Sequence, residues 1–317
     1  MSQEKNCKIA VVGAGYMGRE HIRAFSDIPN VRVVGITSRT KAKAESLASE
    51  YQIPNVCDSV EELYEKTKAD LVVVCVPELS ANPVSRACFQ FPWVALLEKP
   101  AGYNLDDAKD IQDAASRQNR RVFVALNRRF YSSTQNALAS VADVSGPRFI
   151  HVLDQEDQIR AREAGQPKKV VDYWMYANSI HVVDYLTLFG RGNVSSVEQI
   201  IPWDPNEPWI VLARVTFDSG DIGVYQGVWN APGPWSVNIS TRSRRLEMRP
   251  LEQMAYQSAG QRKVEIVESH PWDTQFKPGL RLMAAEAVNA VFDEKTDLPT
   301  LEESLKSMKL VNQIFGV

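Results

Sequence analysis

At 317 residues the chain is about twice the size of an average single domain, so two domains are expected. Apolar residues make up 44% and charged residues 24%, which excludes a disordered, coiled-coil or collagen-like chain. Acidic and basic residues number 39 and 36, a net charge of -3, so the composition offers no general attraction to nucleic acid or to an anionic membrane. The longest apolar run, 71–76, is far shorter than the roughly 20 residues of a bilayer span. The first residues carry no apolar stretch of a secretory leader. Cys7, Cys57, Cys75 and Cys88 match no metal-ligand spacing, and Cys75 sits in an apolar run as a small core residue. A reduced, cytoplasmic protein without a metal site is the expectation.

From residue 8 to 127 short apolar runs (8–12, 31–37, 70–76, 93–97 and 122–126) alternate with amphipathic stretches such as 41–51, 59–66 and 105–119. Continuous apolar runs of this length suit a parallel sheet buried on both faces by crossover helices, a doubly wound Rossmann domain over residues 1–126. Directly after the first run comes Gly13-Ala14-Gly15-Tyr16-Met17-Gly18, opening a helix to about residue 26. Strand, glycine turn and helix in that order form a pyrophosphate cradle: Gly13 allows the turn, Gly15 the close approach of phosphate, and Gly18 the packing of helix on strand.

The end of the second strand addresses the choice of dinucleotide. An NAD site normally places Asp or Glu about 20 residues beyond the motif, on the ribose hydroxyls. Here that place reads Thr37-Ser38-Arg39-Thr40, with no acid between Asp27 and Glu45, and Lys43 close by. A hydroxyl followed by an arginine suits a 2′-phosphate, so NADP(H) is favoured, with NAD(H) as the alternative.

Residues 127–317 have a different character. Two longer runs, 210–217 and 222–229, flank the turn Asp218-Ser219-Gly220-Asp221, and further β-like pieces lie at 236–241, 244–248 and 263–267. A large, mostly antiparallel open sheet with helices on one face is expected, its other face carrying Trp209, Tyr225 and Trp229 as the contact of a homodimer or homotetramer. The stretch 157–170, with Arg160, Arg162, Lys168 and Lys169, reads as a basic loop. The tail turns helical at 279–292. A last helix is capped by Thr300 with Glu303 three residues on, and these closing helices are able to pack back on the first domain.

The fifth strand ends in Glu98-Lys99-Pro100, which puts a lysine at the carboxyl edge of the sheet where ligands bind. With the glycine motif, this resembles the glucose–fructose oxidoreductase / inositol dehydrogenase / MocA (Gfo/Idh/MocA) family. Asn127-Arg128-Arg129-Phe130, His181-Val182-Val183-Asp184 with Phe189-Gly190, the 217–220 turn and Leu298-Pro299-Thr300 resemble the family elsewhere along the chain. The resemblance implies a nicotinamide-dependent oxidoreductase for a sugar, inositol, sugar acid or nucleotide-linked sugar, with Lys99 and His181 as its catalytic pair.

The chemistry of these residues agrees. A histidine titrating near neutrality can take or give the hydroxyl proton, and a lysine cation can stabilise a developing alkoxide. On a helix starting near Asn178, residues 181, 184, 185 and 188 share a face, so Asp184 is expected to steer His181 or bind substrate. The dinucleotide contacts expected are Gly13, Gly15, Tyr16, Met17, Gly18, Ser38, Arg39, Lys43, Val76, Pro77, Glu98, Lys99, Pro100 and Asn127. Arg129, Trp174 and Asn178 are expected at substrate, whereas His21, His151 and His270 read as structural or surface residues. The chain departs from the family at Ala177, where many members carry an aspartate, and Asn178 or Asp172 is the candidate replacement. It also lacks the histidine that often follows Pro77. These departures supply the alternative: a dinucleotide-binding sensor of the same fold that does no chemistry.

Overall fold

The computed structural model describes residues 6–317. Residues 1–5, where the absence of a leader was read, lie outside the described residues. The chain divides into two compact units, one of residues up to 127 with 272–305, the other of residues 128–271 with 306–317.

The first unit is a six-stranded parallel sheet in the order β3-β2-β1-β4-β5-β6. Its strands are β1 (Cys7–Val12), β2 (Val31–Thr37), β3 (Val56–Cys57), β4 (Leu71–Val74), β5 (Val94–Glu98) and β6 (Val122–Ala125). Helices α1 (Tyr16–Ser26), α2 (Lys41–Tyr51), α3 (Val60–Thr67), α4 (Glu78–Cys88) and α5 (Leu105–Arg117) connect them. β4 is wholly buried, which is why its sequence is four unbroken apolar residues and not an alternation. The order reverses beside β1, and the carboxyl ends of β1 and β4 open there into the crevice where such sheets bind ligands.

The second unit is an eight-stranded sheet in the order β14-β13-β12-β11-β7-β10-β9-β8. Its strands are β7 (Phe149–Glu156), β8 (Val194–Ile201), β9 (Ile210–Phe217), β10 (Ile222–Trp229), β11 (Ser236–Ser240), β12 (Arg244–Met248), β13 (Met254–Ser258) and β14 (Glu265–Val267). All pairs are antiparallel except β7 with β10. Along β7 every second side chain, Ile150, Val152, Asp154 and Glu156, is buried against the helical layer.

That layer includes α6 (Ser132–Val141), α7 (Gln158–Glu163), α8 (Lys168–Asp172) and α9 (Ile180–Phe189). The tail forms α10 (Trp272–Gln275), α11 (Leu280–Val291) and α12 (Leu301–Phe315), the last capped as expected by reciprocal bonds between Thr300 and Glu303.

Two expectations are corrected. The basic stretch 157–170 is largely helical. Asp157 caps α7 by accepting from the Arg160 amide at 2.8 Å, and Pro167 precedes α8, so charge on short amphipathic helices had the look of a loop. Tyr225 and Trp229 do not face outward: both are buried against Phe315, at ring distances of 5.5 and 5.6 Å, and of the three aromatics only Trp209 is exposed. The outer face instead shows Phe149, Ile222 and Ile266.

Asp221 locks the second sheet to its helical layer. Its buried carboxylate accepts from the Arg148 amide at the start of β7 (2.7 Å), the Arg191 amide just after α9 (3.0 Å) and the Arg191 guanidinium (2.6 and 2.9 Å). Burial alone would push its pKa up, but these donors more than offset it and hold it at about 2. A depressed carboxylate stabilises the fold above its unfolded value and loses that contribution as pH falls through the folded one. Asp221→Asn should therefore lower the urea-unfolding free energy by about 2 kcal/mol at pH 7, a deficit that shrinks between roughly pH 4 and pH 2.

Candidate active site

The glycine turn is enforced by backbone crowding. Gly13 has φ +113°, and a Cβ on it would lie 2.0 Å from the Cys75 carbonyl oxygen. A Cβ on Gly18 would lie 2.2 Å from the Gly13 carbonyl oxygen. Gly15 is different: a Cβ there meets nothing within 4 Å, so its bare backbone faces open space at the N-terminus of α1. That combination fits a dinucleotide pyrophosphate, which needs both the close approach and the helix end.

A cleft of about 490 Å³ continues from the turn, lined by Ser38, Arg39, Lys43, Val76 and Pro77 as the sequence suggested. It also holds Thr40 and Lys41 of the same segment, and Asp58, which sequence reasoning missed. Asp58 is no free ribose acceptor, because its carboxylate pairs with Lys41 Nζ at 2.7 Å. Tyr16 is exposed at the head of α1, with Lys277 Nζ 5.5 Å from its ring centre. Burial pushes the Cys75 thiol well up, so it offers no thiolate to the cleft.

At the end of β5 the Lys99–Pro100 bond is cis, and Glu98 Oε1 lies 2.7 Å from Nε2 of the fully buried His21. His21 therefore ties the cradle helix to the Glu98-Lys99-Pro100 turn. The signal was present in its position, on the same buried face of α1 as Gly18, Ile22 and Phe25. Asn127 is buried and donates from Nδ2 to the Pro278 carbonyl at 3.1 Å, pinning the chain ahead of α11.

In the second unit the histidine helix does not begin at Asn178. A π-helical turn, Met175–Ser179, runs into α9, and its side chains turn toward β7. Trp174 Nε1 and Asn178 Nδ2 both donate to Glu156 Oε2, at 2.7 and 2.8 Å. These three residues, with Arg160 and Trp235, line a cavity of about 470 Å³. His181 is 7% exposed, with its ring centre 6.2 Å from that of Trp235. Arg128 lies over the Trp235 ring at 4.2 Å.

Asp172 does not replace the carboxylate missing at Ala177, since it is exposed and paired with Lys168. The carboxyl groups beneath the π turn are Asp154 and Glu156, which the sequence reading did not single out. Burial pushes both pKa values up, Glu156 furthest. The alternation of β7 was the missed signal, since residues 150, 152, 154 and 156 share one face.

Asp184, expected at the chemistry beside His181, has its oxygens occupied. Arg129 donates to both oxygens at 2.7 Å and Ser307 Oγ donates to Oδ1 at 2.6 Å, with the Asp184 side chain only 5% exposed. Tyr185 likewise turns to Thr134, at 2.9 Å. The geometry makes Arg129 and Asp184 a clamp on α9. Because removing one partner strands the other's buried charge, Asp184→Ala should cost about 3 kcal/mol in urea unfolding. It should leave dinucleotide affinity, a property of the other unit, within about twofold; a variant of wild-type stability would contradict the clamp.

Comparison with known proteins agrees with this geometry. Residues 7–126 match the model of the oxidoreductase family with an NAD-binding Rossmann fold. Over this region the chain is similar to the Gfo/Idh/MocA oxidoreductases. It is 24% identical over 181 residues to a 4-carboxy-2-hydroxymuconate-6-semialdehyde dehydrogenase of Sphingobium, covering 56% of this chain and 57% of that protein. A myo-inositol 2-dehydrogenase of Thermotoga maritima is 21% identical over 225 residues, 68% of this chain and 67% of that one. The chain thus spans about half to two thirds of the length of these relatives. A solved dehydrogenase from Chromobacterium violaceum shares the fold across 98% of this chain and 94% of its own, with a TM-score of 0.84 at 18% identity.

Proposed function

We propose that the chain is an NADP(H)-dependent oxidoreductase that interconverts a hydroxyl and a carbonyl on a sugar, polyol or sugar acid. The observation that carries the reading is the cleft itself. Its glycine cradle suits a pyrophosphate, its second strand ends in Ser38 and Arg39, and the one acid in the lining, Asp58, is paired with Lys41. The relative from Thermotoga maritima, named for oxidation of an inositol, supports the polyol class.

The nicotinamide, when bound, supplies the hydride chemistry. The chain supplies the rest. Backbone N–H groups at the start of α1 meet the pyrophosphate, and Arg39 with Ser38 binds the 2′-phosphate. Lys99 donates to the reacting oxygen and stabilises it as alkoxide, and His181 takes the hydroxyl proton in oxidation or returns it in reduction. Trp174 offers a face to a sugar ring, Asn178 and Arg160 polar contacts beside it. The exposed apolar face of the second sheet joins copies of the chain. Ala177 is what favours the alternative, a non-catalytic sensor, but a sensor has no chemical need of Lys99 or His181.

The test is a screen of sugars, polyols and sugar acids with both coenzymes, followed by His181→Ala. The variant should lose at least about 100-fold in turnover while binding NADPH within about twofold of the wild type. Unchanged turnover would remove His181 as the acid/base group.

Cofactor choice gives a second expectation. Arg39→Ala should weaken NADPH binding by about tenfold or more and leave NADH binding nearly unchanged, since only the 2′-phosphate loses a charge-assisted partner.

A further inference from the structure

We infer that Glu156 is the positioning residue of the substrate pocket, a single carboxyl group on β7 that holds Trp174 and Asn178 in place by receiving both of their N–H donors on one oxygen. The inference rests on reading the 470 Å³ cavity as the place where substrate binds. It gives this chain's own answer to the alanine at 177, in that the acid group comes from the strand beneath the π turn instead of from the turn.

The geometry is specific. Glu156 is 1% exposed, and its Oε2 accepts from Trp174 Nε1 at 2.7 Å and Asn178 Nδ2 at 2.8 Å, while Ser179 Oγ lies 3.4 Å from Oε1. One group thus touches residues 174, 178 and 179, spanning the π turn from end to end. Trp174 and Asn178 are both half-buried at the edge of the cavity, and a freely rotating indole is a poor surface for a sugar ring.

Asp154 shows why Glu156 positions and does not itself move protons. The two side chains are neighbours on the inward face of β7, close enough for each to act on the other's charge. Two carboxylates so close in a buried site cannot both be ionised. Asp154 is the better place for the charge, because it receives the Tyr225 hydroxyl at 2.6 Å, is also reached by Ser179 and is favoured by Arg128. Among the described residues no N–H or hydroxyl donates to its buried Oδ1. The carboxyl proton of Glu156 is the donor that fits there. Burial first, and then the charge of Asp154, push the Glu156 pKa well up, which favours its protonated form. It accepts on Oε2 and donates toward Asp154, a pattern that a glutamine amide reproduces.

The experiment compares Glu156→Gln and Glu156→Ala in the full chain, with the alcohol found in the screen as probe. Glu156→Gln should keep KM and kcat within about threefold of the wild type. Glu156→Ala should raise KM by about tenfold or more, with a smaller fall in kcat. NADPH affinity, unchanged in both, verifies that each variant is folded. Loss of turnover in Glu156→Gln would overturn the inference, because an ionised Glu156 would then be doing the chemistry. An unchanged KM in Glu156→Ala would also overturn it.

A second readout needs no substrate. The indole N–H resonance of Trp174, assigned with Trp174→Phe, should keep its position in Glu156→Gln. In Glu156→Ala it should move and exchange faster with water. If the wild type turns over no alcohol, the functional reading fails on its own, and this resonance decides the positioning claim: no movement in Glu156→Ala overturns it. If Glu156→Ala does not fold, Glu156→Gln decides, since a displaced resonance or lost turnover there contradicts a neutral, holding carboxyl.

Discussion

The passage of Gly13 against the end of β4 is the constraint on which the nucleotide site depends. With the Cys75 carbonyl only 2.0 Å from where a Cβ would stand, no side chain is possible at 13, and Gly18 is excluded from having one by the Gly13 carbonyl. These two contacts fix where α1 starts. The helix start in turn fixes where Gly15 opens its backbone and where His21 meets Glu98. The phosphate cradle and the Glu98-Lys99-Pro100 turn are therefore consequences of one close approach between two parallel strands, transmitted along a single helix.

The second unit is organised by buried acids, and each is accommodated differently. Asp221 keeps its charge because Arg191 and two amides surround it. Asp184 is paired through both oxygens with Arg129 and so serves α9 as an anchor. Among the described residues no cation pairs with Asp154 or Glu156 in that way, and we infer that the pair resolves the conflict by holding one proton. A carboxyl group placed beside an arginine becomes a structural charge, whereas two placed side by side hold one proton between them and become a hydrogen-bonding frame. The protein uses both outcomes within one layer of helices and the sheet beneath it.

How much of this was legible in the sequence follows from the range of the forces involved. The parallel sheet and its glycine turn were legible because unbroken apolar strands and a glycine-rich strand-to-helix junction are local patterns. That Ser38, Arg39 and Lys43 would line the cleft was legible because the end of the second strand is defined by its distance along the chain from the glycine turn. Asp184 misled, since the helical face it shares with His181 is set by spacing, but its partners, Arg129 and Ser307, are set by the fold. Tyr225 and Trp229 misled for a similar reason: alternation shows that residues of a strand share a face without showing which face α12 covers. Glu156 went unnoticed because its meaning depends on Asn178 and Trp174, 22 and 18 residues away, arriving on a π turn that no spacing rule announces.

We propose that the first unit reads a nicotinamide dinucleotide through its 2′-phosphate. A side-by-side fluorescence titration of the wild-type chain with NADPH and NADH tests it most directly. NADPH should bind at least tenfold more tightly, about 1.4 kcal/mol. Equal or tighter binding of NADH would contradict the role given to Ser38 and Arg39, and binding of neither would contradict the cradle itself.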